Sequence, residues 1–214
     1  MSRHRSTEAE ELRQHWDAKY HAAPFESLSW YQSVPQESLR LIEAAGIERN
    51  APVIDAGGGA SLLAETLVNL GYADITIVDC SQKALDEARN RISSSASRVA
   101  WICDDIRLFR STKKISLWHD RAVFHFMTSE DDRRRYLESL DACLDDDGVV
   151  IIGTFAKNGP ERCSGLAVQR YDAELISSVF APRFKLVSST DSQHLTPSGS
   201  TQEFAWFTFR RTNR

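Results

Sequence analysis

No two cysteines of this chain stand close enough in sequence to form a metal-binding pair. Cys80, Cys103, Cys143 and Cys163 are scattered, without a C-x-x-C spacing, which argues against a zinc cluster and offers no disulfide framework. Long apolar runs are missing too: GVVIIGTFA has the length of a strand, well short of a membrane span. The opening MSRHRSTEAEELRQHW is charged and lacks an apolar stretch, so no secretory signal and a cytoplasmic location are expected. Nor does one sign of charge dominate. The net charge is −4 and the pI about 5.9, so nothing draws the whole molecule to nucleic acid or to an anionic membrane. The basic run DDRRRY has acids beside it and reads as a solvated helix face. Internal repeats and low-complexity linkers are also absent. What remains is ordinary globular composition, 42% hydrophobic and 26% charged over 214 residues, enough for one domain with a large core.

Strand-like and helix-like runs alternate through the middle of the chain. PVIDAG, ITIVD, VAWICDDI, ISLWHD and GVVIIGTFA read as strands; SLLAETLVNLG, SQKALDEARNRIS and SEDDRRRYLESLDACL read as helices, with Ser81 an N-cap of the second. Such alternation implies βαβ units and a parallel sheet wrapped by helices. The ending differs, because FKLVSST and EFAWFTFRR are two strand-like runs with no helix between them. The linking DSQHLTPSGSTQ, with His194, reads mainly as their turn. The expected fold is therefore α/β: a Rossmann-like, seven-stranded, mostly parallel sheet with helices on both faces and the last strand antiparallel. Ahead of it, a helix from Ser6 to Tyr20 and a Pro-flanked loop carrying Trp30 and Tyr31 form an expected lid segment, residues 1–34, before a core spanning 35–214.

Three glycines, Gly57 to Gly59, stand between the first strand and its helix, directly after Asp55 and Ala56. Glycines there let the turn tighten and let a ligand touch main chain. Asp79 ends the second strand, where a carboxylate can accept both hydroxyls of a ribose. Asp104 and Asp105 end the third, where a carboxylate can accept from an adenine amine while the Ile106 amide donates to a ring nitrogen. A tight turn without ligand is the plain alternative for the glycines alone; three acids at successive strand ends favour a nucleoside cofactor. Leu62 occupies the third glycine position of the dinucleotide fingerprint, and no P-loop run exists, so a nicotinamide dinucleotide and a nucleoside triphosphate fit less well.

VIDAGGGAS, IVDCS, CDDI and the closing strand pair resemble the class I S-adenosylmethionine (SAM) dependent methyltransferases over roughly Pro35 to Arg211. Ser61 departs from the family pattern D-x-G-x-G-x-G, which has glycine there. SWY at residues 29–31, WHDRAVFHF from Trp118 and the GP-x-x-CSGL run from Gly159 resemble a bacterial subgroup of that family. The resemblance implies SAM as cofactor, held by Asp55, Ala56 and Gly57, Gly58 and Gly59 at the methionine part. It implies Asp79 at the ribose and Asp105 with Ile106 at the adenine, with Cys80 a further cofactor contact. Trp30 and Tyr31 join them as aromatic cover for a sulfonium; a staple holding the N-terminal helix to the core is their structural alternative.

The fourth strand end should face the transferring methyl. His119, Asp120 and His125 are the candidate bases, required only if the acceptor begins protonated. Structural histidines and an Asp120–Arg121 ion pair are the competing readings. Arg121, Cys163 and Arg170 are the candidate acceptor contacts. The expected partner is a small-molecule acceptor, ahead of a protein lysine and with no nucleic acid or membrane. A non-catalytic SAM-binding regulator is the reading from outside enzymology.

Overall fold

The computed structural model describes residues 2–212; Met1 and residues 213–214 of the expected lid and core spans lie outside them. Two helices lead into the sheet, α1 (Ser2–Ala22) and α2 (Gln36–Ala44), with a short 3-10 turn at Phe25–Ser27 between them. Then follow β1 (Val53–Ala56), α3 (Leu63–Asn69), β2 (Ile75–Asp79), α4 (Gln82–Ile92), β3 (Val99–Cys103), β4 (Ile115–Arg121), α5 (Glu130–Cys143) and β5 (Leu144–Phe155). A two-residue hairpin, β6 (Arg162–Cys163) with β7 (Leu166–Ala167), precedes α6 (Ala173–Phe180). The chain ends in β8 (Phe184–Leu195) and β9 (Thr201–Arg211).

The sheet order is β3-β2-β1-β4-β5-β9-β8. β1 to β5 pair in parallel, and β9 enters antiparallel between β5 and β8. The expected seven-stranded arrangement with its antiparallel last strand is what forms. Strands buried on both faces need apolar side chains both ways, and β5 has them. Val150 and Ile152 join Tyr136, Leu140, Ile176 and Phe180 in one core under α5 and α6. Val149 and Ile151 join Ile42, Leu67 and Leu85 in the other, under α2, α3 and α4. Helix starts follow capping chemistry. Ser129 accepts from the Asp132 amide at 3.1 Å to open α5, and Ser81 accepts from the Ala84 amide at 3.1 Å to open α4.

Three features depart from the sequence reading. α6, opened by Asp172 accepting from the Leu175 amide at 2.8 Å, and the β6–β7 hairpin were not expected. β8 runs on through His194, so the turn between the last strands is confined to residues 196–200. β8 is an edge strand of mostly polar residues, SSTDSQ; its hydrogen bonds to β9, not hydrophobic alternation, hold it in the sheet. No helix among the described residues is long and apolar enough to cross a membrane.

Candidate functional site

The strand order reverses between β1 and β4, and an open α/β sheet leaves a crevice at such a point, beyond the C-terminal strand ends. The glycine turn lies there. Gly57 has φ +67°, and a Cβ on it would overlap the Val123 side chain. Gly59 has φ +45°, and a Cβ on it would meet the Tyr20 hydroxyl and the Asp79 carboxylate. Glycine alone tolerates both the backbone and the crowding. Ser61 does a different job from the glycine it replaces, accepting from the Leu63 amide at 3.1 Å at the start of α3. From α4, Arg91 donates to the carbonyls of Ala60 and Ser61 at 2.7 and 3.0 Å, clamping the turn.

A cavity opens over this turn, and the three strand-end acids line it. Asp55 is buried; its Oδ1 lies 2.7 Å from His119 Nδ1, while its Oδ2 is buried without a partner. His119 Nε2 lies 2.9 Å from Ser38 Oγ. With His119 donating from Nδ1 to the Asp55 carboxylate, its Nε2 is the acceptor for the Ser38 hydroxyl. Asp79 Oδ1 accepts from the Ser81 amide at 2.8 Å. Burial pushes its carboxyl up to about 7, the nearby Asp55 and Asp17 adding to the shift. Asp105 is gripped by Arg107, whose Nε and Nη2 donate at 3.0 and 2.6 Å; Arg107 also donates to Asp132 at 2.5 Å. Asp104, Ile106 and Cys80 complete that end of the cavity, and burial pushes the Cys80 thiol up.

The roof comes from the N-terminal segment. Leu12, Trp16 and Tyr20 recur every four residues on α1, forming one stripe that faces the cavity. Trp16 meets Trp30 and Phe126 edge to face at 5.8 and 5.3 Å, and Tyr20 meets Trp30 at 5.8 Å. α1 is pinned to the core by Asp17, which accepts from Ser81 Oγ at 2.6 Å and from the Lys83 amide at 3.3 Å. Tyr31 departs from its expected place. It packs edge to face on Phe25 at 5.2 Å and lines a second cavity instead.

The end of β4 divides its residues by strand alternation. His119 and Arg121 face the cavity; Asp120 faces away. Asp120 accepts from the amides of Val123 and Phe124 and from the Tyr136 hydroxyl at 2.6 Å. It therefore braces the turn after β4 and is neither a base nor an ion-pair partner of Arg121. Burial raises its carboxyl to about 6. Ala122 follows at φ +68°, a strained position for a residue with a Cβ, and it lines the cavity. His125 is corrected as well. It is fully buried between Phe126 and Phe155, at 4.4 and 4.8 Å, outside the cavity wall. Neither ring nitrogen has a partner, and burial, helped by the Arg121 charge, pulls it down to about 3. A ring held neutral and walled off cannot take a proton from a ligand.

Of the three candidate acceptor contacts, Arg121 and Cys163 reach the cavity. Burial pushes the Cys163 thiol up, so it stays a neutral wall. Arg170 instead bonds Gly159 and Glu161 at 3.2 and 2.9 Å and braces the segment ahead of the hairpin. Ala56 and Gly59 lie beneath the lining rather than in it. Leu12, Ser38, Phe126 and Met127 line the cavity without having been singled out in sequence. Leu12 had a signal, its four-residue spacing from Trp16. Ser38 had none, because its partner His119 is 81 positions away.

Residues 53–148 match a family model described as a methyltransferase domain. No curated protein matches the chain by sequence. Among solved structures, a SAM-dependent methyltransferase from Anabaena variabilis superposes with a TM-score of 0.74 at 16% identity, covering 95% of both chains. A Burkholderia thailandensis 1,6-didemethyltoxoflavin-N1-methyltransferase, solved with 1,6-didemethyltoxoflavin and S-adenosylhomocysteine, gives 0.72 at 20% identity over 98% of this chain and 90% of that one. A structure concerned with the conversion of a disulfide bond into a thioacetal group during echinomycin biosynthesis gives 0.74 at 22% identity, over 93% and 92%. Residues 53–148 thus match a methyltransferase domain, and the chain shares its fold with SAM-dependent methyltransferases of known structure.

Proposed function

We propose that the protein transfers a methyl group from SAM to a small-molecule acceptor. One observation carries this reading: acids from three successive strand ends, Asp55, Asp79 and Asp105, meet around one cavity floored by a glycine turn. The residues present suit that cofactor. Asp55 Oδ2 is a buried acceptor without a partner, as an ammonium would require, and Gly57 and Gly58 bring main chain to the cavity lining. Asp79 serves the ribose hydroxyls and Asp105 with the Ile106 amide the adenine.

The sulfonium of SAM supplies an activated methyl group, and transfer asks chiefly that the acceptor atom be held in line with it. This chain's part is to orient and to exclude water. The Asp55–His119–Ser38 chain fixes the carboxylate, and the α1 stripe with Trp30 closes the roof with aromatic faces suited to a cation. His119 is a positioning residue, its two nitrogens occupied by Asp55 and Ser38. A cavity roofed by Trp16, Tyr20 and Trp30 supports a small molecule over a lysine on a protein surface, which would need an open groove. The Burkholderia relative, with its small ring compound, is in keeping with that choice.

Calorimetric titration with SAM, S-adenosylhomocysteine and NAD tests the cofactor. Binding of the first two and not the third is expected. Asp79→Ala should weaken SAM by about 1.5–3 kcal/mol through lost charge-assisted hydrogen bonds; unchanged affinity would sink the ribose assignment.

A further inference from the structure

A second cavity of about 560 Å³ adjoins the first, between the 26–37 segment and the far ends of β8 and β9. It has the size of a small-molecule site. Its walls carry the aromatic rings of Tyr31, Phe204 and Trp206. Arg121 is the one residue that lines both cavities. The partition between them is the loop at residues 29–31, with Trp30 on one side and Tyr31 on the other. It is tied down twice: Arg121 Nη1 donates to the Trp30 carbonyl at 2.9 Å, and His194 Nε2 donates to the Ser29 carbonyl at 2.8 Å.

The Arg121 guanidinium is incompletely satisfied. It lies over the Phe204 ring at 5.0 Å, its Nη2 is buried without a hydrogen-bond partner, and among the described residues it makes no ion pair. Arg40, the other arginine of the second cavity, is paired with Glu37 at 2.5 Å. A buried charge without a counter-charge is expensive, and natural proteins keep such charges paired or bound. The missing partner is an anion, and planar guanidinium suits the two oxygens of a carboxylate. Aromatic walls beside that position suit a ring.

We propose that the second cavity is the docking site of the methyl acceptor and that its ligand is an aromatic carboxylate held by Arg121. This rests on the methyltransferase reading for the word acceptor; the anion site itself stands on the Arg121 geometry. A carboxylate on Nη2 sits at the boundary of the two cavities, next to the tied loop, with its ring among Tyr31, Phe204 and Trp206, so the carboxylate end is the part of the ligand nearest the first cavity. Phe204 lines the second cavity and not the first, which favours this ligand over the cofactor's own carboxylate as the partner of Arg121.

The test is titration of the full-length protein with benzoate, benzamide and benzylamine at neutral pH, with and without saturating S-adenosylhomocysteine. Benzoate should bind about tenfold or more tightly than either of the others, the size of one charge-assisted pair. Arg121→Gln should remove that preference, while Arg121→Lys should keep part of it. Equal binding of benzoate and benzamide to the unaltered protein would overturn the proposal without relying on any variant. A loss of S-adenosylhomocysteine affinity in Arg121→Gln, with benzoate unaffected, would overturn it too and give the guanidinium to the cofactor. Benzoate preference without any S-adenosylhomocysteine binding would uphold the anion site and fail the methyltransferase reading.

Discussion

The Asp55–His119–Ser38 chain shows how one buried carboxylate is satisfied on one oxygen only. Oδ1 is satisfied by His119, and Oδ2 is left without a partner at the cavity. The protein thereby satisfies one oxygen of the acid and leaves the other open at the cavity. His119→Ala would leave Asp55 with neither oxygen satisfied by a side chain. It should cost about 1–3 kcal/mol of stability, read by chemical denaturation, and raise the apparent KM for SAM while leaving kcat at saturation nearly unchanged. A large fall in kcat at saturating SAM would instead give His119 a direct part in proton transfer. The neighbouring residues teach a related point. In a strand, positions 119 and 121 share a face and 120 takes the other, so the alternation of β4 already separated Asp120 from the site. The WHDRAVFHF run places His119, Asp120, Arg121 and His125 close in sequence, and the fold gives each a different environment.

At the scale of elements, α1 shows how a helix outside the sheet is attached to the core. α1 is held by the Leu12, Trp16 and Tyr20 stripe and by two carboxylates, Asp17 reaching the start of α4 and Glu8 lying 3.7 Å from Arg107. Asp17→Ala should release α1 while leaving the sheet intact. Amide hydrogen exchange in α1 should quicken, with β1 and β5 unaffected, and S-adenosylhomocysteine should restore protection by bridging roof and floor. Identical α1 exchange in the two proteins would show that the aromatic stripe suffices. The same contrast explains what could be read beforehand. The parallel strands announced themselves because burial on both faces demands nearly continuous apolar runs, and the acids of the site stand at the ends of those runs. β8 was shorter in the reading than in the molecule because an edge strand needs little apolar content, and its length comes from pairing with β9. The fate of His125 was not legible either: the burial that silences it comes from Phe155, on a strand whose contact with it no local pattern encodes.

For the whole molecule, buried titratable groups of opposite kinds set the response to pH. Asp79 and Asp120 are raised by burial to about 7 and about 6. The folded protein holds these protons more tightly than the unfolded chain, so their contribution is fully present below about pH 4 and is lost as pH rises through the folded values. His125 acts in the other direction. Burial and the Arg121 charge lower it to about 3, so its contribution is present above about pH 6.5 and is lost as pH falls toward the folded value. His194, lowered chiefly by burial, adds in the same sense. Between about pH 4 and about pH 6.5 the two trends oppose each other. His125→Leu removes one side of that balance and also an unpartnered polar ring from the core. Any packing difference is common to all pH values, so the change in its effect between two pH values isolates the proton. The variant should gain about 2 kcal/mol relative to the natural sequence on going from about pH 7 to about pH 5, measured by denaturant titration at both. Its own stability should then decline as pH rises toward neutrality, as the two acids dictate. Methyl transfer should persist in it. An equal effect at the two pH values would mean that His125 keeps an ordinary proton affinity, and would return it to consideration as a base.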